Sequence, residues 1–208
     1  MHKLDQLTAE DITQKLKLSA TSSQHSHTIP QDMLSTDYRQ AGVLIPLVRI
    51  ENHWHLLYIR RAEIQHDRHS GQVAFPGGKH EEQDTDLYAT ALREAHEEVG
   101  IHPHDVSVLG QLSDHHSVSN FRITPVIGLI PWPYPLTLQT NEVSHTFTIP
   151  LHWLADSNNY EMRPWQAPNL KQQVKVAHFN EYDGELLWGA TARMTLSLLG
   201  ALCNQPNG

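Results

Sequence analysis

The sequence predicts an α+β domain, and three observations carry that reading. Short apolar runs separated by turn residues recur between residues 41 and 179. A helical spacing of apolar residues runs through LYATALREAHEEVG, 87–100, and stops at a glycine. A second helix is expected from LLWGATARMTLSLLGAL, 186–202. Strands plus two substantial helices make a mixed domain.

In chain order, residues 4–18 carry apolar positions at Leu4, Leu7, Ile12, Leu16 and Leu18. Thr8 is placed as an N-cap, with Glu10 and Asp11 in the first helical turn. The polar stretch SATSSQHSHTIPQDMLST, 19–36, reads as a linker. Residues 1–36 are therefore expected to be a helix and linker, and 37–208 the folded domain. AGVLIPLVRI (41–50) and HLLYIRR (55–61) read as a hairpin around Glu51-Asn52-His53. A polar loop over 62–70 precedes a short strand, GQVAFPGG (71–78), which ends in a Pro-Gly-Gly break. The acidic loop KHEEQDTD then leads into the 87–100 helix. Further strands are expected at 106–112, 122–130, 145–151 and 173–179, with a helical turn at HWLAD and an irregular stretch over 157–172.

Composition narrows the classes. The 208 residues hold 15 Lys+Arg against 23 Asp+Glu, a formal net charge of −8 that leaves 16 histidines neutral. At a pKa of ~6.5 roughly a quarter of those histidines are protonated at pH 7, which brings the charge nearer about −4. An acidic balance without a basic run argues against general nucleic-acid binding. No apolar stretch is long enough to span a bilayer, and the charged N-terminus is unlike a signal peptide. A single cysteine, Cys203, excludes an internal disulfide and fits a cytoplasmic location.

The informative segment is Gly78 to Ile101. Glu94, Glu97 and Glu98 fall at roughly 0°, −60° and +40° around a helix, on one face. Tyr88, Ala91, Leu92, Ala95 and Val99 form the adjoining apolar stripe. Close carboxylates near a helix C-terminus repel one another and oppose the helix dipole. A hard divalent cation bound by oxygen ligands relieves both costs. The bland alternative is a solvated Glu-rich face paired with Arg93 and Lys79. The preceding strand and Phe75-Pro76-Gly77-Gly78 turn favour the metal, because a strand–glycine loop–helix unit aims carboxylates at one spot.

These residues resemble the Nudix hydrolase signature, G-x5-E-x7-R-E-U-x-E-E-x-G-U with U bulky and apolar. Gly78, Arg93, Glu94, Glu97, Glu98, Gly100 and Ile101 match it. Asp84 stands at the first Glu position, eight residues rather than seven precede Arg93, and Ala95 replaces a bulky residue. The resemblance implies a Nudix-type α/β/α sandwich with a mixed central sheet and a catalytic strand–loop–helix. It implies hydrolysis of a nucleoside diphosphate linked to another group, with Mg²⁺ or Mn²⁺ as cofactor. By the same token Glu94, Glu97, Glu98 and the Gly78 carbonyl become metal ligands, and Arg93 orients a carboxylate. A plain structural salt bridge remains the other reading of Arg93.

A second resemblance is to the coenzyme A pyrophosphatase branch, whose upstream pattern is near L-L-T-x-R-[SA]-x3-R-x3-G-x3-F-P-G-G. Leu56, Leu57, Arg61, Ala62, Gly71 and Phe75-Pro76-Gly77-Gly78 follow it, with one extra residue in the loop and Asp67 where an Arg is expected. It implies coenzyme A or an acyl derivative as substrate, cleaved to 3′,5′-ADP and 4′-phosphopantetheine. Arg61, Arg68, His69, Gln72 and Phe75 then become substrate-binding candidates, and Glu142 a general base or further metal ligand. ADP-ribose, NADH and nucleoside triphosphates are rival substrates. A non-catalytic nucleotide-binding regulator is disfavoured because all three box carboxylates are present. The resemblance leaves room for a homodimer and calls for neither nucleic acid nor membrane. The close histidine pairs 25/27, 53/55, 102/104 and 115/116 lack an HExxH or cysteine partner, so each is read as solvated rather than as a zinc or nickel site.

Overall fold

A computed structural model of the chain describes residues 2–21, 38–63, 70–117, 119–166 and 173–203. Strand β1 (Arg39–Ile50) is the axis of the fold, and every residue from Ala41 to Val48 is buried. Val43, Ile45 and Leu47 enter one hydrophobic cluster, while Leu44 and Val48 enter another. Covering both faces of a strand removes any need for apolar–polar alternation, hence the unbroken run VLIPLV.

The chain reverses at Glu51 and Asn52, whose φ angles of 48° and 66° make a tight hairpin into β2 (His53–Arg61). β2 pairs antiparallel with the end of β1, with Ile50 opposite His53. Further along, β2 is joined by β3 (Val73–Ala74) and β8 (Val143–Pro150). The opposite edge of β1 pairs parallel with β7 (Phe121–Leu129), which is flanked by β5 (Ser107–Gln111) and β6 (His115–His116). β4 (Gly77–Lys79) pairs with the beginning of β1, completing a mixed eight-stranded sheet.

Helices cover both faces. α2 (Leu87–Val99) lays Ala91, Ala95 and Val99 against Leu44, Val48, Leu57 and Ile59. On the other face, α1 (Ala9–Thr21) and α4 (Gly189–Cys203) contribute Ile12, Leu16, Leu198 and Leu202 to the cluster holding Ile45, Leu56 and Tyr58. The short α3 (Leu151–Leu154) follows β8 directly. The expected α/β/α layering with a mixed sheet is the observed architecture. Among the described residues, no helix is long and apolar enough to cross a membrane.

The N-terminal helix begins at Ala9, directly after the expected cap Thr8, and a 3-10 turn (Lys3–Gln6) that carries Leu4 precedes it. Thr8 caps it reciprocally: Thr8 Oγ1 accepts from Asp11 N at 3.1 Å, and Asp11 Oδ2 accepts from Thr8 N at 2.9 Å. Residues 160–165, expected to be irregular, form β9 (Tyr160–Trp165), which pairs with β10 (Val174–Phe179) outside the main sheet. Four of its six residues are exposed, so it carries no burial alternation by which to read it. Most of the expected linker, residues 22–36, lies outside the described residues.

Packing ties the N-terminal helix to the core. Ile12→Ala should lower stability by ~2–5 kcal/mol, the cost of truncating a fully buried aliphatic side chain. Urea unfolding followed by circular dichroism measures it. An unchanged midpoint would mean that α1 is a detachable appendage.

Candidate metal and substrate site

The site forms where β4 turns away from β1 and α2 returns over it. Asp86 caps α2, accepting from Ala89 N at 2.8 Å, and Gly100 ends it in the left-handed conformation at φ 75°. Two glycines permit the close approach. A Cβ at Gly42 would strike the backbone of α2, with Ala91 N at 2.9 Å. A Cβ at Gly78 would occupy the space of the Glu94 carboxylate. The helix can therefore lie almost against the strands, with Glu94 packed on the glycine turn.

The three helix carboxylates occupy different environments. Glu98 is only 3% exposed, and its Oε2 accepts from Gly77 N at 2.9 Å. Burial pushes its carboxyl up from 4.5 to about 8, aided by the Glu94 and Glu142 charges and opposed by the Gly77 N–H and Arg61. Glu94 is partly buried and also raised, first by burial and then by Glu97 and Glu142, against the pull of Arg93. The Glu97 side chain is 56% exposed and is reached by Arg93 at 2.9 Å.

Arg93 fastens the cluster from beneath. Its Nε and Nη2 donate to the two Asp84 oxygens at 2.9 and 3.0 Å. Nη1 donates to Glu94 at 3.1 Å and to Glu97 at 2.9 Å, and Nη2 also reaches the Lys79 carbonyl at 3.1 Å. This bidentate clamp holds the Asp84 carboxyl well below the usual carboxylate range. Asp84 further accepts from Thr90 Oγ1 at 2.9 Å and Glu81 N at 3.0 Å. Its oxygens are thus committed to positioning Arg93 and the acidic loop.

Glu142 is exposed at the start of β8, and its charge bears on both Glu94 and Glu98. Its backbone carbonyl accepts from Ala62 N at 2.8 Å, joining the β8 approach to the end of β2. Beside it opens a cleft of about 620 Å³, lined by Arg60, Arg61, Thr140, Ser144, His145 and Glu185 among others. Arg61 belongs both to this lining and to the charges acting on Glu98. Gln72 lies at the neighbouring strand, its carbonyl accepting from Arg61 N at 3.0 Å.

Phe75, expected to bind substrate, instead places its ring in the core: it is 3% exposed and stacks on Tyr58 with ring centroids 4.7 Å apart. Arg68 and His69 lie outside the described residues. The sequence reading also missed Glu185, which accepts from Arg60 at 3.1 Å and pairs with His145 at 2.7 Å across the cleft. The available signal was Asp183-Gly184, a turn dipeptide with φ 49° and 81° that presents the next residue.

The donor set is chemically suited to a hard divalent cation. Glu94, Glu98 and Glu142 supply carboxylate oxygens in mutual electrostatic reach, while Arg93 is largely occupied by Asp84. The Gly78 carbonyl lies on the turn against which Glu94 packs. Histidine 96, on the same helix, is exposed and stacks near His102 instead.

The sequence matches the NUDIX domain family over residues 38–191. It is 39% identical over 169 residues to the protein named "Uncharacterized Nudix hydrolase NudL" of Yersinia pestis (strain Pestoides F), covering 81% of this chain and 79% of that one. The same figures hold for the protein so named in Yersinia pseudotuberculosis serotype O:1b (strain IP 31758). Among solved structures, a MutT/nudix family protein from Enterococcus faecalis aligns at TM-score 0.48 and 13% identity, over 83% of this chain and 62% of that one. The chain belongs to the Nudix family. It is a Nudix hydrolase, an enzyme of the class that acts on nucleoside diphosphate derivatives and generally uses divalent metal ions.

One pH dependence follows from the buried carboxylate. Without metal, folded Glu98 holds its proton up to about pH 8, whereas the unfolded side chain releases it near 4.5. The folded state binds more protons between those values, so this residue's contribution to stability declines as pH rises through the window. Glu98→Gln keeps an acceptor for Gly77 N and has nothing to ionise. In excess EDTA, its thermal midpoint should gain on wild type steadily between about pH 4.5 and 8. A constant difference across that range would contradict the assignment.

Proposed function

We propose that the protein is a Mg²⁺- or Mn²⁺-dependent pyrophosphohydrolase that cleaves the diphosphate of coenzyme A or an acyl-coenzyme A. One water adds across the P–O–P bridge. Its oxygen bonds to one phosphorus as the bridging bond to that phosphorus breaks, giving 3′,5′-ADP and 4′-phosphopantetheine. The observation that carries the reading is the convergence of Glu94, Glu98 and Glu142 beside a cleft bearing Arg60 and Arg61.

In this reading Glu94 and Glu98, with the Gly78 carbonyl and Glu97 alongside, hold the cation. The bound metal supplies charge neutralisation on the diphosphate and a more acidic water. Arg93 keeps Glu94 and Glu97 in place through its clamp on Asp84. Glu142 is exposed and faces the same carboxylates, which suits it to accept the proton of the attacking water. Arg60 and Arg61 offer guanidinium groups to substrate phosphates, with Arg60 aimed by Glu185. Support for the coenzyme A branch is the upstream pattern through Arg61, Gly71 and Gln72 and the one-residue expansion before Arg93. The competing reading is a Nudix hydrolase for ADP-ribose, NADH or a nucleoside triphosphate, favoured by the absence of an arginine at position 67.

A panel of coenzyme A, acyl derivatives, ADP-ribose, NADH and 8-oxo-dGTP, assayed with Mg²⁺ and Mn²⁺ and with products identified by mass, decides between them. Coenzyme A should be cleaved fastest. Rapid turnover of another member with coenzyme A untouched would reject the substrate assignment and keep the chemistry.

Glu98→Gln and Glu94→Gln should each lower kcat by about 10²–10⁴-fold, the scale set by losing a major electrostatic or acid–base contributor. Full activity of either variant, or of wild type in excess EDTA, would reject the mechanism.

A further inference from the structure

A second group of potential ligands lies at the other end of the sheet. Asp5, His53 and His152 come from the 3-10 turn, the β1–β2 hairpin and α3, and one ligand atom from each falls within 4.8 Å of the others. Asp5 Oδ2 is 3.0 Å from His53 Nδ1 and 3.9 Å from His152 Nδ1. Ligands at ~2.0–2.1 Å around a tetrahedral ion lie about 3.4 Å apart, between the two observed separations. Displacements of the two imidazole nitrogens by about half an ångström would equalise them.

The surroundings resemble a prepared ligand set. The Asp5 side chain is fully buried, and its second oxygen accepts from Trp54 N at 3.2 Å, which leaves Oδ2 directed at the histidines. A carboxylate oriented by a backbone N–H through its other oxygen is the usual support of a metal ligand. Arg49, the nearby cation, donates to the Asp5 main-chain carbonyl at 2.8 Å rather than to the carboxylate. His152 Nδ1 is buried and makes no hydrogen bond. Burying such an atom is costly unless it finds a partner. His2 stands next to the group, its ring 6.4 Å from that of His152 and its Nδ1 engaged by Leu4 N at 3.3 Å.

We propose that Asp5, His53 and His152 form a second metal site, for Zn²⁺ or a similar first-row transition-metal ion, with a water or His2 in the fourth position. Two imidazoles and one carboxylate are borderline donors, matched to Zn²⁺ rather than to Mg²⁺. On binding, His53 presents the Nδ1 lone pair and carries its proton on Nε2. The ion ties residues distant in sequence into one knot and fastens the N-terminal segment to the sheet. It is separate from the glutamate cluster. Along β1, Gly42 pairs with Gly78 at one end and Ile50 with His53 at the other, roughly 26 Å apart at strand spacing.

The test uses full-length protein without a polyhistidine tag, in the Glu98→Gln background so that the carboxylate cluster is weakened. Metal-stripped protein is titrated with Zn²⁺ by calorimetry, and with Co²⁺ while recording its visible absorption. One equivalent should bind and raise the thermal midpoint. His152→Ala removes no native hydrogen bond, so its fold should be kept. It should weaken Zn²⁺ binding by about 10-fold or more. It should also abolish the Co²⁺ band, and on an otherwise wild-type chain leave Mg²⁺-dependent hydrolysis unchanged. His53→Gln provides an independent check. No saturable Zn²⁺ binding, or binding that His152→Ala and His53→Gln leave intact, would overturn the proposal.

Discussion

Glu98 carries a carboxyl group into a seam between sheet and helix where it has one backbone N–H, from Gly77, at 2.9 Å, and burial there resists its ionisation until a cation is present. Much of the surrounding architecture serves that placement. Gly42 lets α2 settle onto β1, and Gly78 leaves room for Glu94 directly beside the turn. Arg93 cannot neutralise Glu98, because its guanidinium is clamped to Asp84 and shared with Glu94 and Glu97. What remains is an anionic pocket whose carboxylates raise one another's affinity for a positive ion, whether a proton or a metal. Such a pocket costs stability in the empty protein and returns it on cation binding.

The same arrangement resolves a conflict of charge. A chain with a formal charge of −8 is poorly suited to attract an anionic diphosphate. In the proposed mechanism a divalent ion on the glutamates reverses the local sign beside the cleft that Arg60 and Arg61 help to line. Glu185 and His145 pair at one wall of that cleft, far from the signature helix in sequence. Among the described residues the histidines, by contrast, have no common purpose: several are exposed or lie ring against ring, and two meet at Asp5.

Much of this was legible in the residues. β1 announced itself by an unbroken apolar run, α2 by its period and terminal glycine, and the cap at Thr8 by its side-chain chemistry. The carboxylate stripe was readable because helix geometry fixes which residues share a face. It did not reveal how different the three environments are, since burial of Glu98 depends on the distance at which β4 passes over the helix. Phe75 misled for a similar reason: its position beside the glycine turn pointed to the site, whereas its ring turns inward onto Tyr58. β9 was invisible because Glu161, Met162, Arg163 and Pro164 are all exposed, so the strand shows no apolar–polar alternation. The Asp5 cluster was hidden because residues 5, 53 and 152 meet only through tertiary folding.

The central claim, that the Gly78–Glu94–Glu98 corner is a divalent-cation site, is tested most directly by diffraction from crystals soaked in Mn²⁺, with anomalous data collected near the manganese edge. The account predicts an anomalous peak in bonding contact with carboxylate oxygens of Glu94 and Glu98, beside the Gly78 carbonyl. Manganese bound elsewhere, with Glu98 still held only by Gly77 N–H, would contradict it.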